Sequence, residues 1–320
     1  MDDMAKVKLE KPGAREKTFK YISIMPVTII LLLVVIFPLI YALYMSLTDA
    51  HVANIRNPRF IGLLNYIRVL TTGDLWLSTL RSIVYVVVTV SIETVLGMLI
   101  ALALNSKVLF QKLVVILFIL PMLISPVLVG IMFRLEGNDA FGVIQHFLRN
   151  VFGMKNTMYS PEFAFYSMMM IDIWQWTSFM FIIIYSGLQA LPQEPYEAAA
   201  VDSASKWQTY WTVTLPLLRP VLMIALIFRV MDSFKAFDHI NMLTGGGPGQ
   251  KTTTISVLLY KTAFEKDKIG AACALSILFL VLINIVVKRM VRYFPQFADR
   301  MKEEQENKKL LKQMKKEMKE

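Results

Sequence analysis

Apolar stretches of about twenty residues recur along the whole sequence, and they constrain the fold more than any other feature. A helix needs about 20 consecutive apolar residues to cross the hydrocarbon core of a bilayer. Of the 320 residues, 56% are hydrophobic and only 18% are charged, against roughly 45–50% and about 25% in soluble domains. We therefore predict an all-α, polytopic membrane protein whose transmembrane domain covers residues 21–291. Its six spans are expected at 21–47, 82–104, 113–133, 163–190, 217–234 and 269–291.

The basic residues are distributed unevenly between the two sides of these spans. If the N-terminus is placed in the cytoplasm, 21 of the 34 Lys and Arg residues fall on the cytoplasmic side and 13 outside. Loops on the cytoplasmic side carry an excess of Lys and Arg. We therefore predict that both termini are cytoplasmic, as tails of residues 1–20 and 292–320, and that the 191–220 loop is also cytoplasmic. The net charge of +10 is better explained by membrane orientation than by nucleic-acid binding.

The first apolar stretch is predicted to be retained as a span. It is longer than the apolar core of about 7–15 residues found in cleaved signal peptides, and no clear small-residue cleavage site follows it. The mature protein is therefore expected to keep this helix.

Residues that carry catalytic or metal chemistry are sparse. The single cysteine, Cys273, excludes an intrachain disulfide and a cysteine-based metal site. His51, His146 and His239 are dispersed, and the glycine-rich stretch before Lys251 does not match a phosphate-binding loop. The sequence therefore predicts neither an enzyme nor a metal protein, and no cofactor bound by this chain.

A polar, alanine-rich island lies between the fourth and fifth apolar stretches, with the sequence LPQEPYEAAAVDSASKWQTYWTVTLPLLRP from Leu191 to Pro220. Pro192 and Pro195 end the preceding helix, and Glu197 suits the first turn of a new one that we predict to begin near Tyr196. Alanines have high helix propensity and short side chains. The island therefore predicts a short helix that another protein could approach closely.

The order of residues in this island resembles the EAA loop of the permease subunits of binding-protein-dependent ABC importers. Glu197, Ala198 and Ala199 match the motif, and Leu215 and Pro216 follow at the expected distance. In that family the loop is a cytoplasmic coupling element that docks into a cleft of the ATPase subunit. The coupling residues implied here are Glu197, Ala198, Ala199, Asp202 and Ser203. The alternative is an ordinary cytoplasmic loop that contains three alanines.

The sequence departs from the family pattern at position 203. Ser203 stands where the family usually has glycine, and Val213 replaces the usual isoleucine. A serine held at positive φ would cost on the order of 1 kcal/mol. The angle between the two short helices on either side of Ser203 therefore stays open.

A second resemblance lies before the last span. An external loop with Gly245, Gly246, Gly247 and Pro248 is followed by the segment YKTAFEKDKIGAACALS. This order is similar to that of maltose-type carbohydrate permeases, and it points to the sugar branch of the family. The small residues from Gly270 to Ser276 are expected to allow close helix packing in the membrane.

Polar side chains inside the predicted spans need a functional or structural reason, because charged groups are costly at the bilayer centre. On the fourth span, residues 172, 175, 176 and 179 share one helix face. Carboxylate, amide and indole groups together suit a sugar, and the alternative is interhelical pairing such as Asp172 with Arg229. The predicted translocation path consists of Glu93, Asp172, Gln175, Trp176, Phe179, Asp232 and Ser233.

The resemblance implies a permease subunit of an ATP-driven importer in the cytoplasmic (inner) membrane of a bacterium or archaeon. Its implied partners are a second permease, two ATPase subunits that bind ATP and Mg, and an external solute-binding protein. The solute is a sugar, or a polyol or glycerol-phosphate-like compound. Two alternatives are an ion-coupled secondary transporter, with Glu93 and Asp172 as proton carriers, and a membrane scaffold or insertase.

Overall fold

The computed structural model describes residues 14–106, 109–153 and 156–292, which fold almost entirely into helices. Among them, a single isolated antiparallel bridge joins Thr48 and Phe60. The first helix begins at Ala14, within the predicted N-terminal tail, so the boundary of that tail at residue 20 does not mark the start of the helix. The predicted C-terminal tail lies outside the described residues except for its first residue.

The helices follow one another in chain order with short connections. The α-helices of the described residues are α1 (Ala14–Leu31), α2 (Phe37–Ser46), α3 (Leu64–Thr71), α4 (Gly73–Leu104), α5 (Gln111–Leu123), α6 (Pro126–Glu136), α7 (Val143–Phe152), α8 (Ala164–Gln189), α9 (Glu194–Val201), α10 (Lys206–Thr209), α11 (Leu215–Lys235), α12 (Asp238–Thr244), α13 (Ile255–Tyr260) and α14 (Ile269–Arg292). Three π-helical turns, Leu32–Ile36, Tyr210–Thr214 and Lys261–Glu265, and one 3-10 turn, Val52–Asn54, complete the described helical elements.

The predicted all-α, polytopic fold is confirmed. In the described part of the chain, five helical segments are long and apolar enough to cross a membrane, and a bent pair of helices makes a sixth if it counts as one span. The five are Ile22–Ser46, Gly73–Leu104, Ala164–Gln189, Lys206–Thr244 and Ile269–Arg292. They overlap the predicted stretches, but α4 begins nine residues earlier than the apolar run at 82–104.

The third predicted span, 113–133, is not a straight helix. It is broken into α5 and α6, whose axes differ by 92°. Ser125 adopts an extended conformation (φ −57°, ψ 134°), and Pro126 opens α6. The residue before a proline avoids helical angles, and proline lacks the N–H that a continuous helix would use. The chain therefore turns at Ser125, although its hydropathy is uninterrupted.

Glycines allow the central helices to approach closely. A Cβ on Gly97 of α4 would lie 2.8 Å from the backbone nitrogen of Phe181 in α8, and one on Gly187 of α8 would lie 2.9 Å from Leu218 of α11. These helices surround a core of buried residues that includes Met180 and Phe181. Helix α8 is thereby held between α4 and α11, which brings the polar side chains of these three helices together.

The first span packs differently from the others. Its side chains from Ile22 to Leu43 are mostly exposed, and only its end is buried, at Met45 and Ser46. There the chain approaches α14, where a Cβ on Gly270 would lie 2.2 Å from the carbonyl oxygen of Thr48. Gly270 therefore admits the backbone of the loop that follows α2, whereas the close helix packing predicted for the small residues of the last span stays a prediction.

Candidate functional sites

A buried ion pair joins α4 to α11. The Nε of Arg229 donates to Oε2 of Glu93 at 2.6 Å, and its Nη2 donates to Oε1 of Glu93 at 2.9 Å. Both side chains are at most 1% exposed. Two parallel bonds between a guanidinium and a carboxylate fix the relative position of the two groups as well as neutralising them. The pair therefore sets the register of α11 against α4.

The same guanidinium also binds α8. Its Nη2 donates to Oδ2 of Asp172, which is fully buried. The other oxygen of Asp172, Oδ1, accepts no hydrogen bond from the described residues and lies 3.7 Å from Nε2 of His239. That nitrogen is 3.0 Å from the hydroxyl oxygen of Tyr85. One arginine thus serves two carboxylates from two helices; we call Glu93, Asp172 and Arg229 the charge cluster.

A cavity of about 200 Å³ borders the charge cluster. Asp232 lies 3.7 Å from Nη1 of Arg229 and is 48% exposed, so one carboxylate of this region faces open space. The ring of Trp176 lies 5.1 Å from Cζ of Arg229, in cation–π geometry. The lining also includes Lys235 and His239. The cavity is therefore lined by an indole, a half-exposed carboxylate and a lysine.

Four of the seven residues of the predicted translocation path separate into two pairs. Trp176 and Asp232 line the cavity. Glu93 and Asp172 are bound to Arg229, and the contact of Asp172 with Arg229 is the interhelical pairing that the sequence left open as the alternative. Their role in a translocation path stays a prediction, but in this conformation neither is open to a solute.

The remaining three predicted path residues also have protein contacts. Gln175 donates through Nε2 to the carbonyl oxygen of Ile124 at 2.8 Å, and it thereby satisfies the backbone at the break between α5 and α6. Ser233 is buried with its hydroxyl 3.4 Å from that of Thr89. Phe179 packs against Trp176 with ring centroids 6.3 Å apart. Gln175 and Ser233 therefore hold helices together rather than lining the cavity.

Tyr85 and His239 were missed by the sequence reasoning. Tyr85 precedes Thr89 and Glu93 by four and eight residues, so all three lie on one face of α4. That periodicity is visible in the sequence and could have identified the face. The position of His239 on α12 has no comparable signal, because the chain turns between α11 and α12 at Ala236.

The predicted short helix of the 191–220 island is present as α9, and it begins at Glu194, two residues before the predicted start. Pro195 lies in its first turn, together with Glu194 and Glu197. Ser203 then adopts φ +53°, the left-handed conformation that the family's glycine would adopt without strain. Ser205 caps α10 reciprocally with Gln208. The turn between α9 and α10 is thus fixed despite the serine.

Helix α9 is displayed at the surface. Glu197, Ala198 and Asp202 are exposed, and Ala199 is partly buried. On its other side, the hydroxyl of Tyr196 donates to Oγ1 of Thr214 at 3.1 Å. Helix α9 is therefore tied to the start of α11 while its acidic, alanine-rich face remains open.

The glycine loop before the last span is ordered by threonines. Gly246 has φ +80°, and its carbonyl oxygen accepts a hydrogen bond from Oγ1 of Thr253 at 2.9 Å. Oγ1 of Thr252 donates to the carbonyl oxygen of Gly247 at 2.8 Å. A Cβ on Gly246 would lie 2.7 Å from Oγ1 of Thr253, so close approach requires glycine at this position. Gly245 ends α12 in the left-handed conformation, and Pro248 follows Gly247.

A bundle of apolar helices with charged groups buried between its spans, a polar cavity and a displayed acidic helix is the architecture of a multi-pass membrane protein. The family described as "Binding-protein-dependent transport system inner membrane component" matches residues 93–300, and the chain belongs to this family. The resemblance predicted from the 191–220 island is thereby confirmed.

Relatives with assigned transport roles cover most of the chain. The trehalose/maltose transport system permease protein MalF of Thermococcus litoralis is 36% identical over 84% of this chain and 91% of its own length. The sulfoquinovosyl glycerol transport system permease protein SmoG of Agrobacterium fabrum is 30% identical over 83% of this chain and 88% of its own length. Both are permease proteins of transport systems.

A solved structure shares the fold. A chain in the crystal structure of a bacterial alginate ABC transporter, in complex with an alginate pentasaccharide-bound periplasmic protein, superposes with a TM-score of 0.76. The superposition covers 88% of this chain and 96% of that chain at 20% identity. The arrangement of spans is therefore one that an ABC transporter uses.

Proposed function

We propose that this protein is one of two permease subunits of an ATP-driven importer for a sugar or a sugar-like solute. Its further partners would be two ATPase subunits, which bind ATP and Mg²⁺ and carry out the hydrolysis, and an external solute-binding protein. The observation that carries the proposal is the displayed helix α9, whose exposed Glu197 and Ala198 leave room for a partner's cleft. Family membership supports the same assignment.

Rigid-body movement is the mechanism that this geometry favours. The Tyr196–Thr214 hydrogen bond links α9 to the base of α11, and Arg229 links α11 to α4 and α8. Closure of the ATPase subunits would pull on α9 and rotate these helices together between inward-facing and outward-facing states. The coupling helix and the charge cluster would then be the two ends of one rigid unit.

The solute class is inferred from the cavity and from the relatives. The cavity is lined by Trp176, an aromatic side chain of the kind that packs against the apolar face of a sugar ring, and by the half-exposed carboxylate of Asp232, which can accept hydrogen bonds from hydroxyl groups. The similar proteins named above serve transport of trehalose, maltose and sulfoquinovosyl glycerol. A sugar-like solute fits this combination, because the cavity also carries the cations of Lys235 and Arg229 and can therefore accept hydroxyl groups together with a charged substituent.

The coupling role can be tested by charge reversal. Glu197→Lys places a cation at the positive end of α9, which costs about 0.3–1 kcal/mol from the helix dipole alone, and it would oppose a basic cleft in the partner. We expect loss of ATPase co-purification or of solute uptake, with normal membrane insertion. Ala198→Trp should act similarly by steric exclusion. Glu265→Lys, at another exposed carboxylate, is the matched control; full association and uptake in both test variants would refute the coupling role.

The solute site can be tested with two tryptophans on one helix. Trp176 faces the cavity, whereas Trp174 is directed away from it and packs edge-on against Phe133 at 5.2 Å. Trp176→Ala should raise the half-saturating solute concentration and reduce solute-stimulated ATPase activity of the reconstituted complex. Trp174→Ala should leave both unchanged. Wild-type kinetics for Trp176→Ala would show that Trp176 is a packing residue.

The ion-coupled alternative is disfavoured by the charge cluster. A proton carrier must alternate between exposure and burial, and it must be free to lose its charge. Glu93 and Asp172 are both fully buried and bound to a guanidinium. Uptake into vesicles that contain ATP but have no proton gradient would separate the two mechanisms, since only the ATP-driven importer should continue to work.

A further inference from the structure

An aromatic cluster is exposed at the N-terminal end of the fifth span. It consists of Trp207, Tyr210 and Trp211, whose ring centroids lie 5.2–6.0 Å apart. Although the rings contact one another, Trp207 is 69% exposed and Trp211 is 50% exposed. Neither indole N–H donates a hydrogen bond within the described parts of the chain. The cluster is therefore a preformed apolar surface with two free donors at its edge.

The length of the helical segment sets the depth of this cluster. Lys206–Thr244 contains 39 residues, and α11 alone contains 21. At about 1.5 Å per residue, α11 is about 31 Å long, which matches the hydrocarbon core of about 30 Å. Trp211 precedes α11 by four residues, or about 6 Å along the helix axis. The ring of Trp207 packs against the ring of Trp211. Each headgroup layer is about 5–8 Å thick, so the cluster lies at headgroup depth.

The charges beside the cluster have the sign that the headgroups require. Lys206 and Arg219 are both exposed, one before the cluster and one eight residues after Trp211. Neither forms an ion pair with a described residue. Amphipathic aromatic rings favour the membrane interface, and basic side chains near it are attracted to anionic lipids. Lys206 therefore complements lipid phosphates directly, and Arg219, which lies about 6 Å inside the start of α11, reaches the same layer by extending its long side chain toward the headgroups.

We propose that the aromatic cluster is a lipid-docking surface, which seats in the headgroup layer of anionic phospholipids and fixes the depth of helix α9. The link to α9 is the Tyr196–Thr214 hydrogen bond, because Thr214 lies in the same π-helical turn as Trp211. When the aromatic cluster is anchored in the headgroup layer, a pull on α9 moves the spans instead of tilting the 191–220 loop. The lipid contact itself does not depend on the proposed solute or on transport.

The contact can be measured by tryptophan fluorescence of the full chain in vesicles. The difference in emission between the wild type and the double variant Trp207→Phe/Trp211→Phe is the fluorescence of the two cluster tryptophans, separated from that of the other tryptophans. We expect this difference signal to be quenched strongly by phosphatidylglycerol brominated near the headgroup, and weakly by lipid brominated near the chain end. Trp176→Phe provides the control, because the cavity-facing ring of Trp176 should contribute a difference signal that neither lipid quenches.

Two results would overturn the proposal. The first is a difference signal that aqueous iodide quenches and brominated lipid does not, which would leave the cluster in water. The second is a signal that lipid fails to quench and that added ATPase subunit protects from iodide, which would make the cluster a protein interface. Either result can occur with full solute uptake, so failure here is distinguishable from failure of the proposed function.

The charged part of the surface has its own test. Lys206→Gln and Arg219→Gln should each reduce the preference of the cluster for brominated phosphatidylglycerol over brominated phosphatidylcholine, by about fivefold per removed charge. Lys251→Gln removes an exposed charge from a distant loop and should leave the preference unchanged. An unchanged preference in all three variants would show that the rings dock without anionic lipid.

Discussion

At Arg229, one guanidinium faces more negative charge than it can neutralise. Glu93 takes two of its donors and Asp172 shares one of them, so the buried charge cluster carries a formal excess of one negative charge. Asp232 and Lys235 lie on the exposed side. Burying two carboxylates is tolerable only because their common partner is buried with them. The arginine is thus required for the packing of three helices.

Removal of this arginine should therefore be costly. Arg229→Met leaves Glu93 and Asp172 buried without a partner, and we expect a loss of stability of about 3–5 kcal/mol, the range for a broken buried pair. Arg229→Lys should retain only part of the stability that Arg229→Met loses, since a lysine cannot bind a carboxylate bidentately. Thermal unfolding of the purified permease measures both. Lys235→Met removes an exposed charge 3.8 Å from Asp232 and should cost less than about 1 kcal/mol; an equal loss in both variants would contradict the assignment.

Ser203 offers an opposite test, because its substitution should stabilise the protein. It has φ +53°, and glycine adopts this conformation without the strain that a side chain adds. Ser203→Gly should therefore stabilise the turn between α9 and α10 by up to about 1 kcal/mol, and Ser203→Val should destabilise it. Hydrogen exchange of the α9–α10 amides measures this local effect. Ser205→Ala, which removes the cap of α10, should cost about 1 kcal/mol; faster exchange in Ser203→Gly would contradict the strain argument.

At the scale of the elements, hydropathy predicts where spans occur but not whether a span is straight or bent. The stretch at 113–133 is apolar throughout, and only the Ser125–Pro126 step signals the break. A proline within a span can kink a helix slightly or end it, and the outcome depends on whether the freed carbonyl finds a partner. Here the carbonyl oxygen of Ile124, at the break itself, accepts a hydrogen bond from Gln175 of α8. The partner is distant in sequence, so the 92° bend could not be predicted from the stretch itself.

The close contact of α4 and α8 gives a prediction about packing. Gly97→Ala would place a methyl group 2.8–3.0 Å from backbone atoms of Met180 and Phe181, which cannot move without displacing α8. We expect a loss of about 1–3 kcal/mol, the usual cost of overpacking, seen as a lower unfolding temperature. Gly73→Ala, in the first turn of the same helix with nothing within 4 Å, is the control and should be neutral or slightly stabilising. Equal stability of the two variants would mean that α4 and α8 can separate at no cost.

At the scale of the whole molecule, the sequence predicted the class of fold and the family better than the site. Spans and the 191–220 island are local patterns, so periodicity and motif order reveal them. The pairing of Asp172 with Arg229 joins residues 57 positions apart, and the sequence could offer it only as one of two alternatives; the pairing of Glu93 with Arg229, 136 positions apart, was not named. Trp176 and Asp232 were each predicted to belong to the translocation path, and both line one cavity, although their role there stays a prediction. Their common cavity depends on α12, which the sequence did not predict as an element.

The orientation of the molecule remains a prediction from charge, and it can be tested directly. In a Cys273→Ser background, we expect Lys251→Cys to react with a membrane-impermeant thiol reagent added to intact cells. Ala198→Cys should react only after the membrane is permeabilised. Both positions are exposed, so a difference in labelling reports their side of the membrane and not their burial. The expectation follows from the charge distribution, with 21 basic residues on the predicted cytoplasmic side and 13 outside. It also follows from the need for α9 to meet an ATPase in the cytoplasm. Reversed labelling would place α9 outside and would remove the basis for ATP-driven coupling through it.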